Sequence, residues 1–227
     1  MPTLAERYRG LEDLPRQVPV FPLRRVILLP RARLPLVVFE PRYLEMIDDV
    51  LASTRVLAIV QPADAEGGES PAGKSAALRK VGCLGRINAY QEDDDGRVML
   101  TLSGIVRCAL AEEIATDKLY RLWRVDCAPF AGDLEAGAGE ADVDRQALLS
   151  TFKAYLDAHG LKADWSSISQ SSNEPLVNAL SIMSPYGPEE KQALLEAPDL
   201  KTRAEVLVAL AQMELAAGSD GTSSTLQ

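Results

Sequence analysis

The first 130 residues of the chain contain short apolar runs that proline and glycine interrupt. Runs of this length, rich in Val, Ile and Leu and bounded by turn residues, are typical of β-strands. An Asp-Gly pair at 95–96 indicates a hairpin between the fourth and fifth runs. The pattern therefore predicts six strands, at residues 19–23, 34–39, 55–60, 81–90, 97–110 and 120–130.

One predicted helix interrupts this series of strands. After Pro41, apolar residues recur at helical spacing, which places them on one face. Gly82, Gly85 and Gly104 lie inside predicted strands, where glycine usually marks a bulge or a sharp bend. Short bent strands with a single helix predict a β-barrel-like domain for residues 1–130.

The second part of the chain has helical spacing throughout. Apolar stripes separated by glycine and proline predict a small helical bundle for residues 143–217, so the fold class is α+β. Residues 131–142 are rich in Gly, Ala and acids, and we interpret them as a solvated linker. An acidic segment that binds a partner is the alternative for them. Residues 218–227, rich in Ser, Gly and Thr, predict a disordered tail.

Composition and charge exclude several classes of partner. Lys and Arg number 24 against 33 Asp and Glu, and this net charge of −9 argues against nucleic acid, because phosphate binding needs a clustered positive field. The apolar runs are far shorter than the ~20 residues that span a bilayer, and the N-terminus lacks a signal-peptide pattern. We therefore expect a cytoplasmic protein that does not bind membranes.

Residues suited to catalysis or metal binding are sparse. A single histidine, His159, excludes any metal site that needs two histidines from one chain. Cys83, Cys108 and Cys127 are widely spaced, and we interpret them as reduced, buried residues, with a redox role as the alternative. The adjacent acids at 48–49 and 93–95 fit solvated charge better than acid–base catalysis. The sequence therefore predicts no catalytic residue, metal or cofactor.

One motif points the other way, since residues 68–75 match the phosphate-loop pattern G-x-x-x-x-G-K-[ST]. A true phosphate loop follows a buried strand directly and leads into a helix. Here seven residues separate the preceding predicted strand from Gly68, and Pro71 has no N–H to donate to a phosphate. We interpret the match as accidental, and NTP binding through Gly68–Ser75 is kept as an alternative function.

The strand-to-helix junction at residues 40–43 has a physical explanation. Pro41 presets the first helical turn, and Glu40 lies near the positive end of the helix. Tyr43 is placed to pack its ring inward. We interpret this junction as structural first. Arginines gather around it, interleaved with acids, and indicate surface ion pairing or a docking patch for acidic peptides: Arg24, Arg25, Arg31, Arg33 and Arg42.

Several stretches of the chain resemble the N-terminal domain of the Lon protease family. They begin with PVFPLRRVILLP at 19–30 and LPLVVFEPRYLEMI at 34–47, and continue at 81–87, 95–97, 102–107 and 190–203. The resemblance covers roughly residues 17–215. The family's domain is a twisted β pseudo-barrel, related to PUA-like folds, that is followed by a helical bundle. The resemblance therefore implies that fold here.

The resemblance also implies a function. In Lon proteases this domain helps to recognise unfolded or degradation-tagged proteins, whereas the ATPase and Ser–Lys peptidase activities belong to later domains that have no counterpart in these 227 residues. We expect a stand-alone bacterial module that binds polypeptides and is not an enzyme. The alternatives are an adaptor or regulator of a full-length ATP-dependent protease, and RNA binding, which the net charge disfavours. A weak homo-oligomer also stays open.

We expect the bound polypeptide to lie in a groove between the barrel and the bundle. The residues expected at this site come from the first strands and the start of the helix: Phe21, Leu23, Leu36, Phe39 and Arg42. A second group is expected to be structural: Glu40, Pro41, Tyr43, Gly82, Gly85 and Arg86.

Overall fold

Each predicted strand is present in the structure, a computed structural model that describes residues 3–63, 76–160, 162 and 164–220. The strands are β1 (Gln17–Pro22), β2 (Arg33–Val38), β3 (Val56–Pro62), β4 (Leu78–Glu92), β5 (Val98–Ile114) and β6 (Arg121–Asp126). The helices are α1 (Leu4–Arg7), α2 (Pro41–Leu51), α3 (Arg145–Ala158), α4 (Trp165–Gln170), α5 (Asn173–Met183), α6 (Pro188–Glu196) and α7 (Leu200–Asp220). Short 3₁₀ segments occupy Leu11–Asp13, Ala128–Leu134 and Glu140–Asp142.

Five of these strands close into a barrel, and the remaining one extends it at the side. β1 pairs in parallel with β3 and antiparallel with β6, while β3, β4 and β5 pair antiparallel in chain order. The last part of β5 also pairs with β6, which closes the ring. β2 pairs with the first part of β5, at Arg33–Val38 opposite Val98–Ser103, and is an edge strand of the sheet.

The core of the barrel follows from the strand sequences. β3 is buried along six of its seven residues because it lies between β1 and β4. When both faces of a strand are buried, its sequence is a continuous apolar run rather than an alternation of apolar and polar residues. The hydrophobic cluster of the barrel interior includes four valines and a leucine: Val18, Val20, Val56, Val106 and Leu84.

The glycines in β4 and β5 let backbones approach closely. A Cβ at Gly104 would lie 2.0 Å from the carbonyl oxygen of Leu29, and a Cβ at Gly82 would lie 2.6 Å from that of Ile59. Gly85 lies at a shift in the register between β4 and β5, where the sequence pattern predicts a bulge. Any larger residue would displace main-chain atoms at Gly104 and Gly82.

The predicted helix after β2 is present with the expected first residue. α2 begins at Pro41 with Glu40 as its N-cap residue. Its apolar face buries Tyr43, Met46 and Ile47. Because Pro41 lacks an N–H and has a fixed φ, it fits the first helical position without loss of a hydrogen bond.

The described residues form two compact units. The first unit extends to Ala136 and includes Tyr186–Leu195, and the second comprises Gly137–Pro185 and the residues from Glu196 onward. α6 therefore belongs to the first unit except for its last residue, although its apolar spacing grouped it with the bundle at 143–217.

Polar contacts explain why α6 lies with the strands. The buried Gln61 side chain of β3 donates to the carbonyl of Pro188 and to Oε1 of Gln192, both at 3.0 Å. Gln192 in turn donates to the carbonyl of Val81 at 3.1 Å. Helical periodicity carries no information about such contacts, because they depend on strands more than 100 residues away in sequence.

The segment at 131–142, which we interpret from its composition as a solvated linker, contains the boundary between the two units. It contains the 3₁₀ segment at Glu140–Asp142 and the end of the one at Ala128–Leu134. The Asp133 side chain is only 12% exposed and pairs with Arg107 of β5. An acidic residue in a Gly-rich stretch is therefore held by a buried cation that the local composition does not reveal.

In the second unit, α3 and α5 both contact α7. Leu148, Val177 and Leu207 are fully buried there. α7 continues to Asp220, beyond the predicted bundle end at residue 217, and residues 221–227 of the predicted tail lie outside the described part of the chain. None of the helices in the described residues combines the length and the apolar character needed to cross a membrane.

Candidate functional site

The edge strand β2 carries apolar side chains on both of its faces. Leu34 and Val38 are buried, whereas Val37 points to the other face and is 55% exposed. The strand register places Val37 directly opposite Met99 of β5, which is 41% exposed. Phe39 follows two residues after Val37 and is 65% exposed. We call Val37, Phe39 and Met99 the apolar patch, and contiguous exposed apolar surface of this kind marks interaction sites.

The backbone of β2, beside the apolar patch, has one edge that no other described strand pairs with. Among the described strands, β2 has a neighbour on one side only, which is β5. An edge strand presents N–H and C=O groups that an extended peptide can pair with. Pro35 lies within β2 opposite Thr101, and proline is compatible with an edge strand because its nitrogen needs no partner.

The residues of the predicted strand-to-helix junction lie together. The ring centroids of Phe21 and Tyr43 are 4.3 Å apart, and the guanidinium carbon of Arg42 lies 4.5 Å from the Tyr43 ring centroid. Arg42 also pairs with Glu40 at 2.5 Å. Burial raises the pKa of the Tyr43 hydroxyl above its ordinary value. This arrangement fixes the start of α2 against β1, in keeping with a structural interpretation of the motif.

Phe21 does not line an exposed surface, so that expectation is wrong for this residue. Its side chain is only 5% exposed. β1 lies between β3 and β6, and the Phe21 ring packs against Tyr43 of α2. The strand order decides this outcome, since an apolar residue in a strand with two neighbours and a covering helix is buried.

Leu36 and Leu23, two other expected binding residues, lie outside the apolar patch. Leu36 is half-buried and pairs with Leu100, on the face of β2 opposite to Val37. Leu23 is half-buried, and its N–H donates to the carbonyl of Val60 at 2.9 Å. Only Phe39 of the expected apolar residues belongs to the apolar patch.

The sequence prediction missed Val37 and Met99. The signal that could have found Val37 is the run of apolar residues at both odd and even positions of β2, whereas Met99 follows only from its register opposite Val37. On an edge strand, only one of the two faces of such a run packs against the core. The apolar side chains of the other face are exposed. Recognition of this signal requires the knowledge that β2 is an edge strand.

Arg86 of β4 has a structural environment. Its Nη1 donates to the carbonyl of Thr54 at 2.9 Å and to the hydroxyl of Tyr8 at 3.2 Å. The guanidinium thereby joins the start of β3 to residues that precede β1. Gly82 and Gly85 of the same strand lie at the close approach and the register shift described above.

Comparison with known proteins identifies the family. A family model for the substrate-binding domain of ATP-dependent protease La (Lon) matches residues 17–212. The chain belongs to this Lon family. The Lon proteases of Desulfosudis oleivorans and Parabacteroides distasonis are each 27% identical to it, over 199 and 212 residues. The alignments cover 85% and 90% of the chain but 23% and 25% of the relatives, so the chain spans about a quarter of their length.

Two solved Lon structures share the fold. A Lon N-terminal domain protein from Xanthomonas campestris superposes with a TM-score of 0.59 at 21% identity, over 85% of this chain and 97% of that chain. The N-terminal domain of the Mycobacterium avium complex Lon protease gives a TM-score of 0.63 at 17% identity, over 86% and 98%. The predicted α+β fold and the resemblance to Lon are therefore confirmed.

The matched Lon domain is the substrate-binding one and not a catalytic one, which supports a role in substrate recognition. The described residues contain no group of three or more His, Cys, Asp or Glu side chains that could hold a metal ion. Burial raises the pKa of the Cys127 thiol to about 12 and that of Cys108 well above its ordinary value, so both thiols are protonated at neutral pH. The phosphate-loop match at Gly68–Ser75 lies outside the described residues.

Proposed function

We propose that the chain recognises unfolded or degradation-tagged polypeptides by binding an extended segment along the edge of β2 that no described strand pairs with. The observation that supports this most strongly is the apolar patch, which lies beside an edge strand in a domain of the substrate-binding family. An unfolded polypeptide offers free backbone groups for the edge and apolar side chains for Val37, Phe39 and Met99. A folded protein buries both, so the same surface discriminates between the two states.

The size of the apolar patch predicts weak binding. Val37 and Phe39 keep 55% and 65% of their surface exposed. Because full burial of such a side chain contributes about 1.5–3 kcal/mol, their remaining surface contributes about 2–4 kcal/mol in total. The entropy cost of association offsets part of this gain. A site of this strength releases its substrate readily, which suits recognition that precedes transfer elsewhere.

Fluorescence anisotropy with a reduced, carboxymethylated model protein tests the proposal. This probe stays unfolded, and the native form of the same model protein is the folded control. We expect Phe39→Asp and Val37→Asp to weaken binding of the unfolded probe at least ~10-fold, since a carboxylate there loses hydration when the segment binds.

The matched control is Met183→Asp, which changes a side chain that is 79% exposed on α5 of the second unit. Its affinity for the unfolded probe should equal that of the wild type. Equal binding of the folded and unfolded probes, or an unchanged affinity in both Asp variants of the patch, would contradict the proposal.

A further inference from the structure

The residues before β1 cover apolar surface of the barrel although they precede the family match. The Lon family model begins at residue 17, whereas α1 and the 3₁₀ segment lie within residues 3–14. Tyr8 and Leu14 are 6% and 8% exposed, and both belong to the hydrophobic cluster that contains Val56 and Val125. Residues 3–14, which we call the strap, therefore cover part of the barrel core, although they precede the part of the sequence that the family model matches.

The strap is attached to the barrel by few polar contacts. Its hydrogen bonds are mostly internal, such as the reciprocal pair between Thr3 and Glu6 and the bonds from the N–H groups of residues 9 and 10 to Asp13. Among the described residues, one hydrogen bond joins the strap to the barrel, from Arg86 to the Tyr8 hydroxyl. β1, by contrast, pairs with two strands. Detachment of the strap thus breaks one hydrogen bond and no strand ladder.

Two solvent-open grooves run along the strap. One, of about 440 Å³, is lined by Leu11, Leu14, Val125 and Cys127. The other, of about 330 Å³, is lined by Tyr8, Leu14, Thr54 and Arg86. Solvent therefore reaches the border between the strap and the barrel on both sides.

We propose that the strap is a detachable occupant of a second peptide-binding surface, and that polypeptide segments compete with it for that surface. The strap itself shows what the surface accepts. It takes an aromatic residue whose hydroxyl accepts from Arg86, and an aliphatic residue that follows at Leu14. The proposal rests on the proposed function only in that the competitor is a polypeptide. The surface includes residues of β3, β4, β5 and β6 and none of the apolar patch.

The experiment uses the full chain and a fluorescein-labelled synthetic peptide that corresponds to residues 2–16. We expect Tyr8→Ala to raise the affinity of the chain for this peptide at least ~10-fold over the wild type, because the tethered strap competes at a high effective concentration. Tyr8→Phe keeps the ring and loses the hydroxyl, so its affinity should be intermediate. Tyr90→Ala, at an exposed tyrosine of β4, is the control and should match the wild type.

Hydrogen–deuterium exchange on the wild type provides the second measurement. The amides of the strap should exchange at least ~10-fold faster than those of β3, because the strap opens without global unfolding. Equal protection of the strap and β3, no peptide binding by Tyr8→Ala, or failure of Tyr8→Ala to fold would each overturn the proposal. Peptide binding should survive in Tyr8→Ala/Phe39→Asp. Its loss there would place the peptide on the apolar patch and overturn the second surface, while the patch proposal stands.

Discussion

Replacement of Asp133 by alanine tests a buried ion pair that connects three elements of the first unit. Nε and Nη2 of Arg107, on β5, both lie 2.8 Å from the Asp133 carboxylate, and the Arg107 backbone N–H donates to it at 3.0 Å. The guanidinium also donates to the carbonyl of Leu195 on α6 at 3.2 Å and lies 4.8 Å from the Phe130 ring centroid. The Arg107 side chain is only 4% exposed.

The expected cost of Asp133→Ala follows from this geometry. The substitution leaves a buried guanidinium without its counter-ion, which costs roughly 3–5 kcal/mol. The backbone N–H of Arg107 also loses its acceptor, but the 12% exposure of the Asp133 side chain admits some water. We therefore expect the free energy of unfolding to fall by about 3–4 kcal/mol, near the lower end of the range for a broken buried pair.

Urea unfolding followed by far-UV circular dichroism measures this loss. The double variant Arg107→Met/Asp133→Leu should lose less than Asp133→Ala, because it leaves no unpaired buried charge. The exposed pair between Arg124 and Glu112, at 2.9 Å, is the control, and Glu112→Ala should change stability by less than about 0.5 kcal/mol. A loss below about 1 kcal/mol for Asp133→Ala, or an equal loss in the double variant, would refute the reasoning.

Two further predictions concern a buried lysine and a close backbone approach. Burial lowers the pKa of Lys191 from 10.5 to about 8. As the pH rises between these two values, the folded chain has lost this proton and the unfolded chain still holds it, so the free energy of unfolding increases. Urea unfolding at pH 7 and pH 10 should therefore show the wild type gaining up to about 3 kcal/mol relative to Lys191→Met. An equal change in the free energy of unfolding of the wild type and Lys191→Met between pH 7 and pH 10 would contradict this prediction. Gly104→Ala should lower the free energy of unfolding by about 2–3 kcal/mol because its Cβ would lie 2.0 Å from a carbonyl oxygen, whereas Gly132→Ala, with open space around it, should be nearly neutral in the same assay.

The elements that could be predicted are those whose signal is local. The Asp-Gly turn and the strands on either side of it, α2 with Pro41 at its first position, and the bulge at Gly85 each follow from residues close in sequence. α1 and α4, of four and six residues, were not predicted, because one turn of helix has too few positions to establish a period.

The candidate site was predicted only in part, for a different reason. The apolar character of residues 34–39 was visible in the sequence, and Phe39 is indeed exposed. The choice between Val37 and Leu36, however, depends on which face of β2 is covered. A strand alternates its side chains with a period of two, so the sequence shows two faces and does not say which one meets the core.

The sequence by itself thus determined the family, the order of the six strands and the position of α2 between the second and third of them. Only the tertiary structure decided that α6 lies with the strands, that Asp133 is paired with Arg107, and that β2 is an edge strand. The physical reason is the distance along the chain between the residues that interact. Helical and strand periods arise from neighbouring residues, whereas burial, ion pairing and strand order depend on contacts between residues far apart in the chain, which closure of the barrel brings together.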